Sequence, residues 1–163
     1  MTAPAHVSGP HGLAEHAGDF APGTTVIVDG RVSRVLGRIV ATDHVETWLE
    51  CLLEHDGEER WLAVEAPTGP VRYTLWRRDT AERAGLDPQD GTLHGVALTT
   101  TERGTATFSA TGRFGRFAIP AAGCLEYVEF THAGGRVAAA RFDPGRPWLV
   151  GQGTGLPVAV RRP

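Results

Sequence analysis

The chain has 163 residues, 41% of them apolar and 21% charged, with a formal net charge of −3, a make-up that suits one domain able to bury a core. No apolar stretch reaches the roughly 18 residues of a membrane span, the broad positive field of a non-specific nucleic-acid binder is missing, and no basic, apolar leader stands in the first 20 residues, so none is expected. All 16 basic residues are Arg, with no Lys and no Asn, which excludes a Schiff-base or phosphate-loop lysine and, with 21 Gly, fits a GC-rich bacterial genome.

Residues 1–19 are rich in Ala, Gly, Pro and His without period and are expected to be a disordered tail. His6, His11 and His16 recur every five residues, a spacing that lines up on neither helix face, so they suggest a solvated tail rather than a metal site. From Phe20 onward, short β-runs are broken by turn signals. Strands are expected at Thr24–Val28, before the turn Asp29-Gly30, and at Val32–Thr42, where Gly37 suggests a bulge or barrel corner. Trp48–His55 and Glu58–Ala66 flank Asp56-Gly57, the strongest hairpin signal in the chain, and Val71–Arg77 follows. Asp79–Gly85 reads as one or two helical turns with Asp79 or Thr80 as cap and Gly85 as stop. Leu93–Thr100, Gly104–Ser109, Gly115–Ile119, Leu125–Thr131, Arg136–Phe142, Trp148–Val150 and Val158–Arg161 complete the series. The stretches 35–65 and 102–142 echo each other, which suggests a duplicated β-meander. The expected fold is all-β over residues 20–163. It would be one composite barrel or two small SH3-like barrels (lobes at about 20–78 and 88–163), with one short helix.

Few residues carry recognisable chemistry. Cys51 and Cys124 lie in apolar runs and read as reduced thiols acting as small apolar groups; no zinc-ligand spacing is present. Ser8, Ser33 and Ser109 occupy no nucleophile elbow. Gly151-Gln152-Gly153-Thr154-Gly155 precedes neither a helix nor a Lys, so a phosphate cradle is not expected. His44, His55, His94 and His132 sit at or near turns and read as surface residues. No cofactor fingerprint, metal cluster or catalytic constellation stands out.

The Asp56-Gly57 hairpin permits a sharper deduction. A two-residue turn pairs His55 with Glu58. One face then carries Leu53/Arg60, Cys51/Leu62 and Leu49/Val64 and is expected to point to the core. The other carries Glu54/Glu59, Leu52/Trp61, Glu50/Ala63 and Trp48/Glu65. Trp48, Glu50, Trp61 and Glu65 would make a surface that recognises cations, since indole faces attract ammonium and guanidinium groups and carboxylates supply matching charge. The structural alternative is that the two indoles cover a second small core while Glu50 and Glu65 pair with Arg side chains such as Arg38 or Arg72.

Gly23, Val35-x-Gly37, Trp48-x-Glu50, Leu53, Trp61-Leu62-x-Val64-Glu65, Trp76, Glu102-Arg103-Gly104-Thr105-Ala106, Gly112 and Tyr127-x-Glu129 occur in that order. In this pattern, over about residues 20–155, the chain resembles the bacterial domain-of-unknown-function family numbered 4178, departing from it near Arg141, where the family carries an acidic residue. The resemblance implies no activity or catalytic residues. The genes beside such proteins encode small membrane proteins, spermidine-synthase-like proteins and phage-shock-protein-A-like stress proteins. It therefore implies an accessory or adaptor role near the membrane or in polyamine metabolism, with a protein partner from its own operon; composition, charge and the missing motifs add the expectation of a cytoplasmic, non-enzymatic protein, peripheral to the membrane at most, that binds no nucleic acid. The competing expectation is a polyamine-binding protein or an enzyme subunit using the Trp/Glu face. A deep pocket bearing a carboxylate of raised pKa would favour the enzyme; a flat, apolar, partly exposed patch would favour the adaptor.

Overall fold

In the computed structural model, which describes residues 13, 17–66, 71–133, 135–153, 160–161 and 163, two Asp-Gly turns shape the first half of the chain. Asp29 and Gly30 have φ of 49° and 76°, Asp56 and Gly57 of 49° and 79°, the paired positive values that a two-residue hairpin turn needs. They join β1 (Thr25–Val28) to β2 (Arg31–Thr42) and β3 (Thr47–His55) to β4 (Glu58–Glu65). The register of β3 and β4 is the one expected, from His55↔Glu58 to Leu49↔Val64. β5 (Arg72–Thr80) runs into the single-turn helix α1 (Ala81–Ala84). There the Thr80 hydroxyl accepts from the Arg83 amide and Gly85 ends the helix in the left-handed region.

The second half repeats the plan. After the short strands β6 (Leu86–Asp87), β7 (Thr92–Leu93) and β8 (Val96–Ala97) come β9 (Thr99–Gly112), β10 (Ala122–His132), β11 (Gly135–Arg141) and β12 (Leu149–Gly153), with β13 (Val160–Arg161) added beside β1. Two antiparallel four-stranded meanders, β2–β5 and β9–β12, join edge to edge. β5 pairs with β12, and β2 pairs with β9 from Gly37↔Gly112 to Thr42↔Thr107, which closes one eight-stranded antiparallel barrel. The family of expectations narrows accordingly: all-β, one composite barrel, one short helix. At the seam the backbones approach so closely that a Cβ on Gly37 would strike the Arg113 carbonyl, and one on Gly112 the Leu36 carbonyl.

Closure gives each meander an inside and an outside, and both are apolar. The lumen holds Ile39, Leu52, Trp61, Trp76, Phe108, Leu125, Phe142 and Leu149, with Phe114 and Phe117 folded in from the β9–β10 connection. Outside the first meander, Leu49, Cys51, Leu53, Leu62 and Val64 pack under Phe20, Val26, Val28 and Leu13. Outside the second, Val128, Phe130, Val137 and Val150 are covered by α1 and Leu86.

Several expectations change. Leu49, Cys51 and Leu53 point to a core as expected, but that core is the layer outside the first meander, and the face read as a cation-recognising surface forms the barrel interior. Gly115–Ile119 is a turn and irregular segment, not a strand, because Phe114 and Phe117 plug one end of the lumen. Leu93–Thr100 is split by a His94-Gly95 turn with φ of 49° and 79°, and Gly104–Ser109 is the middle of the 14-residue β9. Of the expected tail, His6, His11 and His16 lie outside the described residues, whereas Leu13 is buried and Ala17–Phe20 form a 3-10 turn. Thr154 and Gly155 also lie outside them; Gly151–Gly153 belong to β12.

Candidate functional site

An eight-stranded barrel has room for side chains or one small ligand. Here the two ends of the lumen differ. One end is filled by aromatic rings: Trp61 stacks on Phe114 at 6.1 Å and meets Phe117 edge-on at 5.6 Å, while Phe108 meets Phe142 edge-on at 5.1 Å. The other end opens into a cavity of about 180 Å³ lined by Glu46, Glu50, Glu65, Glu102 and Glu129, by Arg72, Arg78 and Arg136, and by Trp48, Trp76 and Tyr127.

The two meanders contribute equivalent residues. Trp48 and Glu50 project inward from β3, and Tyr127 and Glu129 from β10, the matching strand of the second half. The Trp48 and Tyr127 rings meet edge-on at 5.5 Å. Tyr127 lies over Gly104, where a Cβ would come within 2.5 Å of its hydroxyl. That hydroxyl donates to Asp43 Oδ2 at 2.8 Å and to Glu102 Oε1 at 3.4 Å. Asp43 Oδ1 accepts the amides of Val45 and Glu46 at 2.7 and 2.8 Å, which fixes the β2–β3 turn and so the position of Glu46.

Guanidinium groups answer three of the carboxylates. Arg78 bonds Glu50 and lies 4.6 Å from the Trp61 ring centre, so it marks the floor between the polar and aromatic ends. The Trp48 indole N–H also donates to Glu50, at 3.2 Å. Arg136 bonds Glu129 at 2.8 Å, and Arg72 reaches Glu65 at 3.3 Å from an exposed position. Five carboxylates against three cations leave the lining acidic, and Glu46 Oε2 is buried without a hydrogen-bond partner among the described residues. Burial and mutual repulsion both act on these carboxyls. Burial raises the Glu65 carboxyl and the Glu129 charge raises it further, against the pull of Arg72 and Arg136. Burial likewise raises Glu46, with Glu65, Asp43 and Glu102 adding to it. Burial also pushes Asp43 up, but the Glu46 and Val45 amides and the Tyr127 hydroxyl outweigh it and hold it below its ordinary value.

Of the four residues singled out by sequence, Trp48, Glu50 and Glu65 line this cavity. Trp61 does not: it is 2% exposed and belongs to the aromatic core. Both glutamates pair with Arg side chains, as in the structural alternative: Glu65 with Arg72, and Glu50 with Arg78, while the Arg38 guanidinium bonds the Ala17 carbonyl. Sequence reasoning missed Glu46, Glu102, Tyr127, Glu129 and Arg136. The repeated aromatic-x-Glu of Trp48-x-Glu50 and Tyr127-x-Glu129 was the available signal. Among the described residues no group of three or more His, Cys, Asp or Glu is arranged to hold a metal ion, and no helix is long and apolar enough to cross a membrane.

Fold and site together define a closed antiparallel barrel with an acidic, aromatic-walled pocket at one mouth. The chain belongs to the family described as "Domain of unknown function (DUF4178)", whose model matches residues 21–157. No curated protein and no solved structure matches it.

Proposed function

We propose that the protein is a binding module whose barrel mouth takes one compact organic cation, an alkylammonium or guanidinium head. The observation that carries this reading is the excess of carboxylates over guanidinium groups in a concave pocket walled by Trp48 and Tyr127. Buried carboxylates that repel one another are relieved by a cation, and indole and phenol faces add about 0.5–2 kcal/mol each to such a contact. Size narrows the ligand. A cavity of about 150 Å³ accepts a benzene-sized molecule, so about 180 Å³ suits six to eight heavy atoms. That is the end of a linear polyamine, or one Lys or Arg side chain of a protein partner. Both free cysteines, buried Cys51 and exposed Cys124, fit action in a reducing cytoplasm.

Titration calorimetry with spermidine, putrescine and an acetylated, amidated lysine tests the proposal. A ligand this small is limited to micromolar to millimolar affinity. Binding should weaken with salt and fall at least tenfold in Glu129→Gln. Response to the lysine compound and to neither polyamine would assign the pocket to a partner protein. No response to any of the three at millimolar concentration would refute it.

A further inference from the structure

The barrel wall has a window. β4 and β5 pair only from Trp61↔Trp76 to Glu65↔Arg72. Beyond that point Glu58–Arg60 of β4 stay with β3, while Arg77–Thr80 of β5 turn to β12. The strands splay, and a groove of about 480 Å³ opens between them. This is within the range of small-molecule sites, about 300–1,000 Å³, and larger than the cavity at the mouth.

What lines the window is donor-rich. Trp61 and Arg78 line it, and their side chains are more than nine-tenths buried. Trp61 Nε1 and Arg78 Nε are both buried and have no hydrogen-bond partner among the described residues. Both atoms are N–H donors with no acceptor capacity, and a buried donor left unmade is costly. On the walls, Arg60 is paired with Glu58 at 3.0 Å and Arg116 with Asp79 at 3.2 Å. The Arg77 and Arg83 side chains are exposed and make no hydrogen bond or ion pair among the described residues. Glu59 is the remaining acid; its carboxyl lies beside Gly115, where a Cβ would meet it at 2.9 Å. The unused capacity of the window is therefore cationic and donating, the opposite of the mouth.

We propose that the window between β4 and β5 is an oxyanion site that takes a phosphate group, with Trp61 and Arg78 donating from the floor and Arg77 and Arg83 closing from the rim. Guanidinium groups present paired N–H donors matched to phosphate oxygens. Phosphate chemistry is offered by soluble phosphate esters and by lipid headgroups alike, so the experiment separates them. Inorganic pyrophosphate is titrated while tryptophan emission is followed, and the full chain is floated with phosphatidylglycerol vesicles. The double variant Arg77→Glu, Arg83→Glu changes only exposed side chains and should keep the wild-type melting temperature.

Pyrophosphate binding that weakens at least tenfold in the double variant, and persists in Glu129→Gln, establishes a site for soluble phosphates distinct from the mouth. Vesicle flotation lost in the same double variant, with no pyrophosphate response, assigns the window to a lipid headgroup. Binding of neither probe, or binding unchanged by the double variant, overturns the proposal. Spermidine binding at the mouth is read on the same double variant, so failure of one site leaves the other to be judged by itself.

Discussion

Arg78→Met asks whether the charges inside the barrel form a desolvated pair. The Arg78 and Glu50 side chains are 6% and 13% exposed, so removing the guanidinium strands a carboxylate whose other hydrogen bond comes from the Trp48 indole at 3.2 Å. Breaking a buried pair from one side costs about 3–5 kcal/mol. A chain of this size loses roughly 2–4 °C of melting temperature per kcal/mol, so the variant should melt about 6–20 °C lower. Replacing both partners by methionine removes the stranded charge as well as the pair, and should recover most of the loss. In a double-mutant cycle by urea denaturation the coupling between positions 50 and 78 should be at least about 2 kcal/mol. A coupling below about 0.5 kcal/mol, the value of an exposed pair, would refute the account of Arg78 and Glu50 as a desolvated pair.

Trp61→Ala should cost about 3–5 kcal/mol through loss of its buried volume, whereas Trp48→Ala, at the half-buried mouth, should cost less and abolish the spermidine response; the reverse order would return Trp61 to the recognition surface. A thiol reagent at pH 8 should titrate Cys124 alone in the native protein and both cysteines in denaturant, since burial pushes the Cys51 thiol up to about 12; two fast native thiols would show the outer layer to be open. Because the folded protein holds the Glu46 and Glu65 protons more tightly than the unfolded chain, these groups favour the folded state below about pH 4.5 and lose that effect as pH rises through their raised values. Glu65→Gln should therefore reduce the stability gained on acidifying from neutral pH towards 4.5, read as urea midpoints across a pH series, and an unchanged slope would contradict the burial of that carboxyl. Gly104→Ala should displace the Tyr127 ring and weaken cation binding, without the large loss of stability expected of Trp61→Ala; intact binding would exclude Tyr127 from the site.

The local features were legible because short-range chemistry writes them. Asp56-Gly57 set the register of β3 and β4, and Thr80 and Gly85 set both ends of α1. Alternation also separated Leu49, Cys51 and Leu53 from Trp48, Glu50 and Leu52. It did not say which set faces inward, since both are covered, and the answer depends on β2 meeting β9, a pairing between residues such as Gly37 and Gly112. For the same reason Phe117 and Ile119 alternate like a strand while serving as part of a plug. Trp48 and Glu50 were found because they share one hairpin with Glu65. Tyr127 and Glu129 complete the pocket only after the second meander folds against the first.

The charges at the mouth are not needed to close the barrel. The opposite end of the same lumen is filled by Trp61, Phe114, Phe117, Phe108 and Phe142, so this chain can pack that diameter with aromatic rings. A buried ion pair gains little over well-packed apolar residues of similar size, and partly exposed pairs contribute about 0–1 kcal/mol, so the buried Arg78–Glu50 pair and the two more exposed ones are a poor device for stability. Had they been structural alone, the signs would balance. Instead Glu46 and Glu102 remain after Arg78, Arg72 and Arg136 have met Glu50, Glu65 and Glu129. Among the described residues neither leftover carboxylate is paired with a cation: the Glu102 carboxylate meets the Tyr127 hydroxyl alone, and one oxygen of Glu46 is buried and bonded to nothing. A lining that carries more negative charge than it neutralises, beside two aromatic rings in contact, is complementary to a positive group that the described residues do not supply, which is the basis of the proposed cation site.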